Sequence, residues 1–325
     1  MCVCDPDNEM SAPYQIVQLA SLGAEADSQL VSEYSVLQLA EAPDPVPFLA
    51  EAASASVLIT SARRGLRREW LDPLPDLGAV CSWGVGYETL DMAAIRERGI
   101  VVSNTPDVLD DCVADLAWAL MFSVARRTHI GDQYVKSGRW ATSPRFPMST
   151  RVWGKRLGVV GLGRIGMAIA RRAAGFDMEV RYHNRSMRAD APYAYEGSLR
   201  ELAQWADFLV LACPGGPQTR HIVNREVLRA LGPAGILVNI ARGSVVDEAA
   251  LVEVLERGEL GGAGLDVFAN EPNVPAALLT MDHVSLMPHV GSATHETRAD
   301  MGRLVLDNVA AFFRDGRLVT PIVQR

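Results

Sequence analysis

Three glycines that follow a short apolar run carry the clearest chemical signal in the chain. Residues 157–160 are apolar enough for a buried parallel strand, and the glycines come next with G-x-G-x-x-G spacing, ahead of a helical pattern. Glycines at this spacing permit a tight turn, close approach of a ligand to the backbone, and close packing of the helix on the strand. Free N–H groups at the start of such a helix bind a pyrophosphate. The pattern predicts a dinucleotide site formed by Gly161, Leu162, Gly163, Arg164, Ile165 and Gly166.

The end of the next predicted strand favours a phosphorylated ribose. A site for NAD needs an Asp or Glu about 20 residues after the glycines, where it accepts hydrogen bonds from the ribose hydroxyls. The segment HNRS, residues 183–186, has no acid there. Because a guanidinium beside a hydroxyl suits a 2'-phosphate, we expect Asn184, Arg185 and Ser186 to bind the cofactor, with NADPH preferred and NADH bound more weakly. The alternative is that Arg185 is a solvated residue of a surface turn.

Polar residues follow the later strand-like runs, at the edge where parallel sheets bind ligands. Arg242 can bind a carboxylate bidentately and draw electron density from a neighbouring carbonyl oxygen. His289 can donate a proton, and Glu271 can pair with it and keep the imidazole protonated near neutrality. These three residues are the predicted catalytic set. The predicted cofactor contacts on the same edge are Cys213, Pro214, Thr219, Ile240, Ala241, Asp266, Gly291 and Ser292.

Structural roles stay open for several of these residues. Arg242 could have a structural role at a helix start or in a salt bridge between domains, and Glu271 could end a turn before Pro272. Asp266 could cap local structure instead of contacting the nicotinamide amide. The remaining histidines are interpreted as surface or structural residues; they are His129, His183, His221, His283 and His295.

Apolar strand-like runs alternate with helical segments along the chain, a pattern typical of parallel sheets wrapped by helices. Besides 157–160, the runs are residues 16–22, 35–39, 57–60, 79–82, 100–103, 208–213, 235–240, 262–267 and 284–287. We therefore predict an α/β fold with two doubly wound parallel sheets. A helical pattern over residues 111–127 could bridge the two units, and residues 143–150, rich in Pro and Ser, could form an exposed arm.

Composition excludes several classes of protein. A chain of 325 residues with 49% hydrophobic content can form two domains, and a net charge of -8 without a long basic run argues against a nucleic-acid or anionic-membrane surface. The chain has no apolar run of transmembrane length and no signal-peptide pattern, so we expect a cytoplasmic protein. Its five cysteines have no regular spacing, which indicates reduced thiols. Cys2 and Cys4 form a C-x-C pair that no nearby ligand completes, so no metal site is expected.

Several longer segments together resemble one enzyme family. The segments are SNTPDVLDDCVADLAWAL, VVGLGRIG, LVNIARGSVVDEAAL, GGAGLDVFANEP and PHVGSATHETR, and the resemblance extends from about Ala79 to Val323. They resemble the D-isomer-specific 2-hydroxyacid dehydrogenases, in particular the NADPH-dependent glyoxylate/hydroxypyruvate reductases and the hydroxyphenylpyruvate reductases. The resemblance implies that Arg242, Glu271 and His289 are catalytic and that Asp266 lies on the nicotinamide side.

The resemblance also implies how the domains are arranged. A Rossmann-type NADP-binding domain, residues 111–296, would be inserted in a flavodoxin-like substrate domain made of residues 1–110 and 297–325. Val85 and Gly86 match the loop that binds the substrate carboxylate, and successive N–H groups there can form an anion nest; a tight strand-to-helix turn is the alternative. Trp140 matches a tryptophan that reaches the active site of the partner subunit, which implies a homodimer. Packing in the dimer interface would explain Trp140 equally well.

These inferences predict the reduction of a small 2-oxo acid to a D-2-hydroxy acid, with glyoxylate and hydroxypyruvate as the first candidates. Hydroxyphenylpyruvate reductase and 2-ketogluconate reductase are alternatives on the same scaffold. A phosphoglycerate or formate-type dehydrogenase is a more distant one. The non-catalytic alternative is a dinucleotide-sensing protein like the corepressors of this fold, because such proteins can retain the catalytic residues.

Overall fold

The chain divides into two compact units in a computed structural model that describes residues 13–322. The first unit contains the described residues up to Val108 and those from Thr294 onwards, and the second unit is Leu109–Ala293. The predicted boundaries, after residues 110 and 296, lie two or three residues further along the chain. Cys2 and Cys4 lie outside the described residues. Within the described part, no helix is both long enough and apolar enough to cross a membrane.

The first unit is built on a five-stranded parallel sheet. Its strands are β1 (Ile16–Gln18), β2 (Val36–Gln38), β3 (Val57–Ser61), β4 (Ala79–Trp83) and β5 (Val101–Ser103), and its first four helices are α1 (Ala24–Glu33), α2 (Val46–Leu49), α3 (Arg68–Leu71) and α4 (Met92–Glu97). The strand order β2-β1-β3-β4-β5 is that of flavodoxin-like sheets. All residues of β3 are buried, as expected for a parallel strand covered on both faces.

The second unit is built on a seven-stranded parallel sheet. Its strands are β6 (Arg156–Val160), β7 (Glu179–His183), β8 (Ala194–Tyr195), β9 (Phe208–Leu211), β10 (Ile236–Asn239), β11 (Gly262–Leu265) and β12 (Val284–Leu286). Its helices are α5 (Asp110–Arg126), α6 (Thr128–Lys136), α7 (Arg139–Thr142), α8 (Arg164–Arg172), α9 (Leu199–Trp205), α10 (Arg225–Leu231) and α11 (Glu248–Glu256). The last helix, α12 (His295–Asp315), belongs to the first unit and packs on α1 and β4.

The strand order of the second sheet places the glycine motif at a reversal of the chain. The order is β12-β11-β10-β9-β6-β7-β8, so the chain leaves β6 towards β7 on one side and later continues with β9 on the other. The loops that follow β6 and β9 run to opposite sides of the sheet, and they leave a crevice at the carboxyl end of β6. Doubly wound sheets bind their ligands in this crevice.

The predicted α/β fold with two doubly wound parallel sheets is confirmed, but some element ends differ. The strand predicted over 16–22 ends at Gln18, and the one predicted over 208–213 ends at Leu211. Leu22 is nevertheless buried, because an apolar pattern reports burial and not extended backbone. Helix α5, for which a bridging position was predicted, is assigned to the second unit and packs on α8 and β11. The two-residue edge strand β8 was not predicted.

The segment of residues 143–150 forms no helix or strand and is largely exposed, as predicted for an arm. The ring of Phe146 packs on the ring of Tyr134 in α6, with 5.4 Å between their centroids. The Thr150 N–H donates to the carbonyl of Ala125, at 2.8 Å. The arm is therefore attached to the second unit at its middle and at its end.

Candidate active site

The glycine turn has the shape that a bound pyrophosphate needs. Gly161 has φ 95°, and a Cβ placed there would lie 2.5 Å from the Cα of Cys213. A Cβ at Gly166 would lie 2.2 Å from the carbonyl oxygen of Gly161, so only glycine allows helix α8 to pack this closely on the turn. Gly163, by contrast, is exposed and a Cβ there would meet no protein atom within 4 Å. The open space at Gly163, next to the first N–H groups of α8, fits a dinucleotide phosphate.

The other residues of the turn differ in their surroundings. Leu162 is buried in the core, and Ile165 is half-buried. Arg164 is exposed at the first turn of α8, where its Nε lies 3.5 Å from the carboxylate of Asp110. Among these residues, the structure leaves the backbone around Gly163 and the side chain of Arg164 accessible to a ligand.

Asn184 holds the glycine turn from the neighbouring strand. It follows β7, and its side-chain oxygen accepts a hydrogen bond from the Leu162 N–H at 2.7 Å. The Asn184 carbonyl accepts from the Tyr195 hydroxyl at 3.1 Å. Asn184 was predicted to bind the cofactor; the structure uses its side-chain oxygen to position the backbone on which a cofactor would rest.

Two arginines lie in the loop after β7, and sequence analysis identified one of them. Arg185 and Ser186 are exposed, and Nη1 of Arg185 donates to Oε1 of Gln218 at 2.5 Å. Arg188 was missed. Its Nη1 donates to the Leu162 carbonyl at 2.8 Å, and its Nε and Nη2 bind the carboxylate of Asp190 at 3.0 and 2.5 Å. A second arginine three positions after Arg185 was the available signal.

The loop after β9 closes against the glycine turn. The backbone of Cys213 packs against Gly161 so closely that a Cβ at Gly161 would overlap it. The side chain of Cys213 is half-buried, and burial raises the pKa of its thiol to about 11. The Thr219 hydroxyl donates to the Pro214 carbonyl at 2.7 Å, so this predicted cofactor residue is used in the loop itself. After β10, Ile240 and Ala241 are both buried. Any contact of these two residues with a ligand would therefore involve little surface.

Glu271 and His289 form a direct pair. Nδ1 of His289 lies 2.7 Å from Oε2 of Glu271, and both side chains are half-buried. The other oxygen of Glu271 accepts from the Phe268 N–H at 3.1 Å. Burial alone would raise the pKa of Glu271, but the hydrogen bonds from His289 and Phe268, with the charges of His289 and Arg242, outweigh burial and lower it. Glu271 therefore stays ionised and fixes the orientation of the imidazole.

Asp266 holds the backbone of the loop that carries His289. His289 has φ 55°, in the left-handed region, and its N–H donates to the Asp266 carbonyl at 2.9 Å. The Asp266 carboxylate accepts from the Val290 N–H at 2.8 Å and from the Gly291 N–H at 2.9 Å, and burial is the main cause of its raised pKa. Of the two roles considered for Asp266, these contacts describe the structural one. Ser292, the next predicted contact, is half-buried.

The loop after β10 brings Arg242 towards Glu271. Asn239, at the end of the strand, donates from Nδ2 to the Arg242 carbonyl at 3.0 Å and accepts from the Ala241 N–H at 3.0 Å. A Cβ at Gly243 would lie 1.9 Å from the carbonyl carbon of Phe268, so the two loops pack backbone to backbone. Sequence analysis missed Asn239; a polar residue at the end of the apolar run LVNI was its signal. The structure thus brings together the three predicted catalytic residues.

In the first unit, the loop of Val85 and Gly86 is tied to β5. Thr105 exchanges two hydrogen bonds with Gly84, each of 3.0 Å, and Gly84 has φ 125°. Asn104 donates to the Val85 carbonyl at 2.8 Å. Within residues 13–322, the N–H groups of Val85 and Gly86 donate to no protein acceptor. Two adjacent free donors in a fixed loop can bind an anion.

Trp140 lies on α7 with 60% of its surface exposed. Two other apolar residues of the same stretch are also exposed, Val135 at 55% and Met148 at 94%. In a single chain these three residues are therefore open to solvent.

Comparison with known proteins agrees with this geometry. The family described as "D-isomer specific 2-hydroxyacid dehydrogenase, NAD binding domain" matches residues 118–291. The chain belongs to this family. It is therefore classed as a 2-hydroxyacid dehydrogenase, an oxidoreductase that uses a nicotinamide dinucleotide, and the resemblance found in the sequence is confirmed.

Individual family members are similar over nearly the whole chain. A hydroxyphenylpyruvate reductase of Plectranthus scutellarioides is 44% identical, over 95% of this chain and 98% of that protein. A glyoxylate/hydroxypyruvate reductase of Arabidopsis thaliana is 41% identical over the same shares. The crystal structure of an NADPH-dependent glyoxylate/hydroxypyruvate reductase from Sinorhizobium meliloti, in complex with NADP and malonate, has a TM-score of 0.90 and 40% identity, covering 96% of this chain and 97% of that one.

Proposed function

We propose that this dehydrogenase reduces small 2-oxo acids, first of all glyoxylate and hydroxypyruvate, to D-2-hydroxy acids with NADPH. The observation that carries the proposal is the 2.7 Å pair of His289 and Glu271, with the charge of Arg242 acting on the same carboxylate. Reduction of a 2-oxo acid requires a proton donor for the carbonyl oxygen, an anion that stabilises the protonated donor, and a cation that binds the substrate carboxylate. His289, Glu271 and Arg242 are these three groups in the proposal.

These residues have distinct tasks in the proposed reaction. Nδ1 of His289 is bound to Glu271, so Nε2 is the ring nitrogen that donates a proton to the carbonyl oxygen. Arg242 binds the carboxylate of the substrate and polarises its carbonyl. In the first unit, the N–H groups of Val85 and Gly86 are assigned to the substrate carboxylate. The bound cofactor supplies the hydride.

NADPH is proposed over NADH because of the loop after β7. Arg185 and Ser186 are exposed there, and no carboxylate stands in the segment 183–186 to receive ribose hydroxyls. The relative from Sinorhizobium meliloti is described as NADPH-dependent. The second unit is accordingly proposed as the cofactor domain and the first as the substrate domain.

A second candidate substrate is hydroxyphenylpyruvate. It is supported by the 44% identity to the hydroxyphenylpyruvate reductase of Plectranthus scutellarioides. We also propose a homodimer in which Trp140 of one chain approaches the active site of the other. This assignment is supported by the exposure of Trp140.

The test is a steady-state comparison of glyoxylate, hydroxypyruvate, hydroxyphenylpyruvate and 2-ketogluconate with NADPH and with NADH. We expect the highest kcat/KM for glyoxylate or hydroxypyruvate with NADPH. A higher value for hydroxyphenylpyruvate would replace the first candidate by the second. If none of the four acids supported NADPH oxidation while NADP+ still bound, a sensing protein would be favoured over an enzyme.

A further inference from the structure

The hydrogen bond between Arg185 and Gln218 crosses the strand that carries the glycine turn. Arg185 follows β7 and Gln218 follows β9, and these two strands flank β6 in the sheet. Nη1 of Arg185 donates to Oε1 of Gln218 at 2.5 Å. The two side chains therefore meet across the carboxyl end of β6, where Arg185 would be available to hold the ribose end of a dinucleotide bound on the glycine turn.

The two arginines of this loop differ in the charge of their partners. Arg188 is held by the carboxylate of Asp190 through two nitrogens, so its charge is largely neutralised. Arg185 is held by a carboxamide, which is neutral. A neutral acceptor fixes the direction of the guanidinium without cancelling its charge, so Arg185 keeps a full positive charge for an anionic ligand.

A fixed guanidinium binds an anion better than a mobile one. An exposed arginine loses the freedom of its long side chain when it binds, and an existing hydrogen bond to Nη1 reduces that loss. Nε and Nη2 remain on the same planar group for a phosphate, which can accept both. Gln218 also keeps its own NH2, a further donor at the same place.

We infer that Gln218 is a specificity-determining residue: it positions Arg185 for the 2'-phosphate of the cofactor and keeps its charge available. The inference rests on the proposed use of NADPH and deepens it. A change of charge at Gln218 should therefore affect NADP+ and NAD+ differently. Exchanging the carboxamide for a carboxylate of the same shape would neutralise Arg185 and repel a phosphate, whereas a ribose hydroxyl can donate to either group.

The experiment is titration calorimetry of the full chain with NADP+ and with NAD+, which measures binding without turnover. Gln218→Glu is expected to weaken NADP+ binding by about tenfold, about 1.4 kcal/mol, and to leave NAD+ binding unchanged or slightly tighter. Gln218→Met, which removes the acceptor without adding charge, is expected to weaken NADP+ binding by about threefold. In an Arg185→Ala background, Gln218→Met is expected to have no further effect, since the residue then has nothing to position.

Gln204→Glu is the matched control. It makes the same substitution at an exposed position of α9, and α9 ends just before β9 begins, at the opposite end of the sheet from the glycine turn. Both dissociation constants should keep their wild-type values in this variant. Equal weakening of NADP+ by Gln204→Glu and Gln218→Glu would overturn the inference, because net charge alone would then explain it.

The outcomes separate the inference from the proposed function. If the wild-type chain prefers NADP+ and Gln218→Glu keeps that preference, the inference is wrong and the proposed use of NADPH stands. If the wild-type chain binds NADP+ and NAD+ equally, NADPH preference fails and the role of Gln218 fails with it. A loss of preference in Gln218→Glu, with Gln204→Glu unchanged, supports both.

Discussion

His289 is the residue at which the local backbone and the proposed chemistry are most closely linked. A φ of 55° is unusual for a residue other than glycine, and such conformations cost about 1–3 kcal/mol. Three hydrogen bonds from residues 289–291 to Asp266 hold this loop in place. The buried carboxylate of Asp266 thus stabilises a conformation that directs the imidazole towards Glu271.

Replacing Glu271 by Gln should separate catalysis from cofactor binding. The amide has almost the same shape but cannot stabilise a positive imidazole, so we expect kcat/KM for glyoxylate to fall by about 100-fold. NADP+ affinity, measured by calorimetry, should stay within about twofold, because the side chain of Glu271 hydrogen-bonds to His289 and Phe268. A variant with wild-type turnover would show that the pair is structural only.

The raised pKa of Cys213 predicts how its reactivity depends on pH. Burial raises the thiol pKa from 9.0 to about 11, so less than 1% should be thiolate at pH 8. We expect iodoacetamide to alkylate Cys213 slowly at pH 8 and faster as the pH approaches 11. Peptide mass spectrometry measures the alkylated fraction of Cys213. Rapid labelling of Cys213 at pH 7 would contradict this. In the unfolded chain the thiol ionises near pH 9, so the linked contribution to stability decreases as the pH rises above 9.

At the scale of elements, the glycines of the site serve two different purposes. Gly161, Gly166 and Gly243 allow one backbone segment to pack on another, because a Cβ at each would overlap protein atoms. Gly163 faces open space. The first kind is required for folding and the second for the ligand, and substitutions should distinguish them.

Gly163→Ala should fold normally and lose the cofactor. Its φ of -85° and ψ of -154° are accessible to alanine, so the free energy of unfolding should stay within about 1 kcal/mol of wild type. The new methyl group would occupy the space assigned to the pyrophosphate, so we expect NADP+ affinity to fall about tenfold or more. Gly175→Ala, also exposed and without neighbours within 4 Å, is the matched control and should bind NADP+ normally. Unchanged NADP+ binding in Gly163→Ala would mean that the ligand does not lie on this turn.

Gly243→Ala should instead damage the fold around the catalytic residues. A Cβ 1.9 Å from the Phe268 carbonyl carbon forces the Arg242 loop away from the loop that carries Glu271. Overpacking of this kind costs about 1–3 kcal/mol, measurable by urea unfolding. Turnover at a temperature where the variant is fully folded should also fall, because Arg242 moves with the loop. A variant as stable and as active as Gly175→Ala would contradict this account.

Residues at strand ends could be predicted from the sequence, whereas contacts between loops could not. Gly161, Arg242 and His289 were predictable because each follows an apolar run, and parallel strands bring their carboxyl ends to one edge. The Arg185–Gln218 bond and the Asn184 contact to the glycine turn were not, because both join loops from different strands. Strand ends were also uncertain: Leu22 is as apolar and as buried as a strand residue, yet β1 ends before it.

At the scale of the whole molecule, binding of anions must be local. The net charge of -8 opposes attraction of a 2-oxo acid or a dinucleotide at long range. Attraction must therefore act at short range, and Arg185 and Arg242 of the second unit are the positive groups proposed to supply it. In the first unit, the uncharged N–H groups of Val85 and Gly86 are proposed for the same purpose.

Exposed apolar side chains on one stretch of the second unit predict the oligomeric state. Val135, Trp140 and Met148 are each more than half exposed, and burying such side chains between two chains is favourable. We expect the 35.2 kDa chain to sediment as a dimer in analytical ultracentrifugation, and Trp140→Asp to shift it towards the monomer. Leu279→Asp, at an equally exposed leucine outside this stretch, is the control and should stay dimeric. A wild-type monomer, or dissociation by Leu279→Asp and not by Trp140→Asp, would remove Trp140 from the interface and with it the proposed contribution of one chain to the active site of the other.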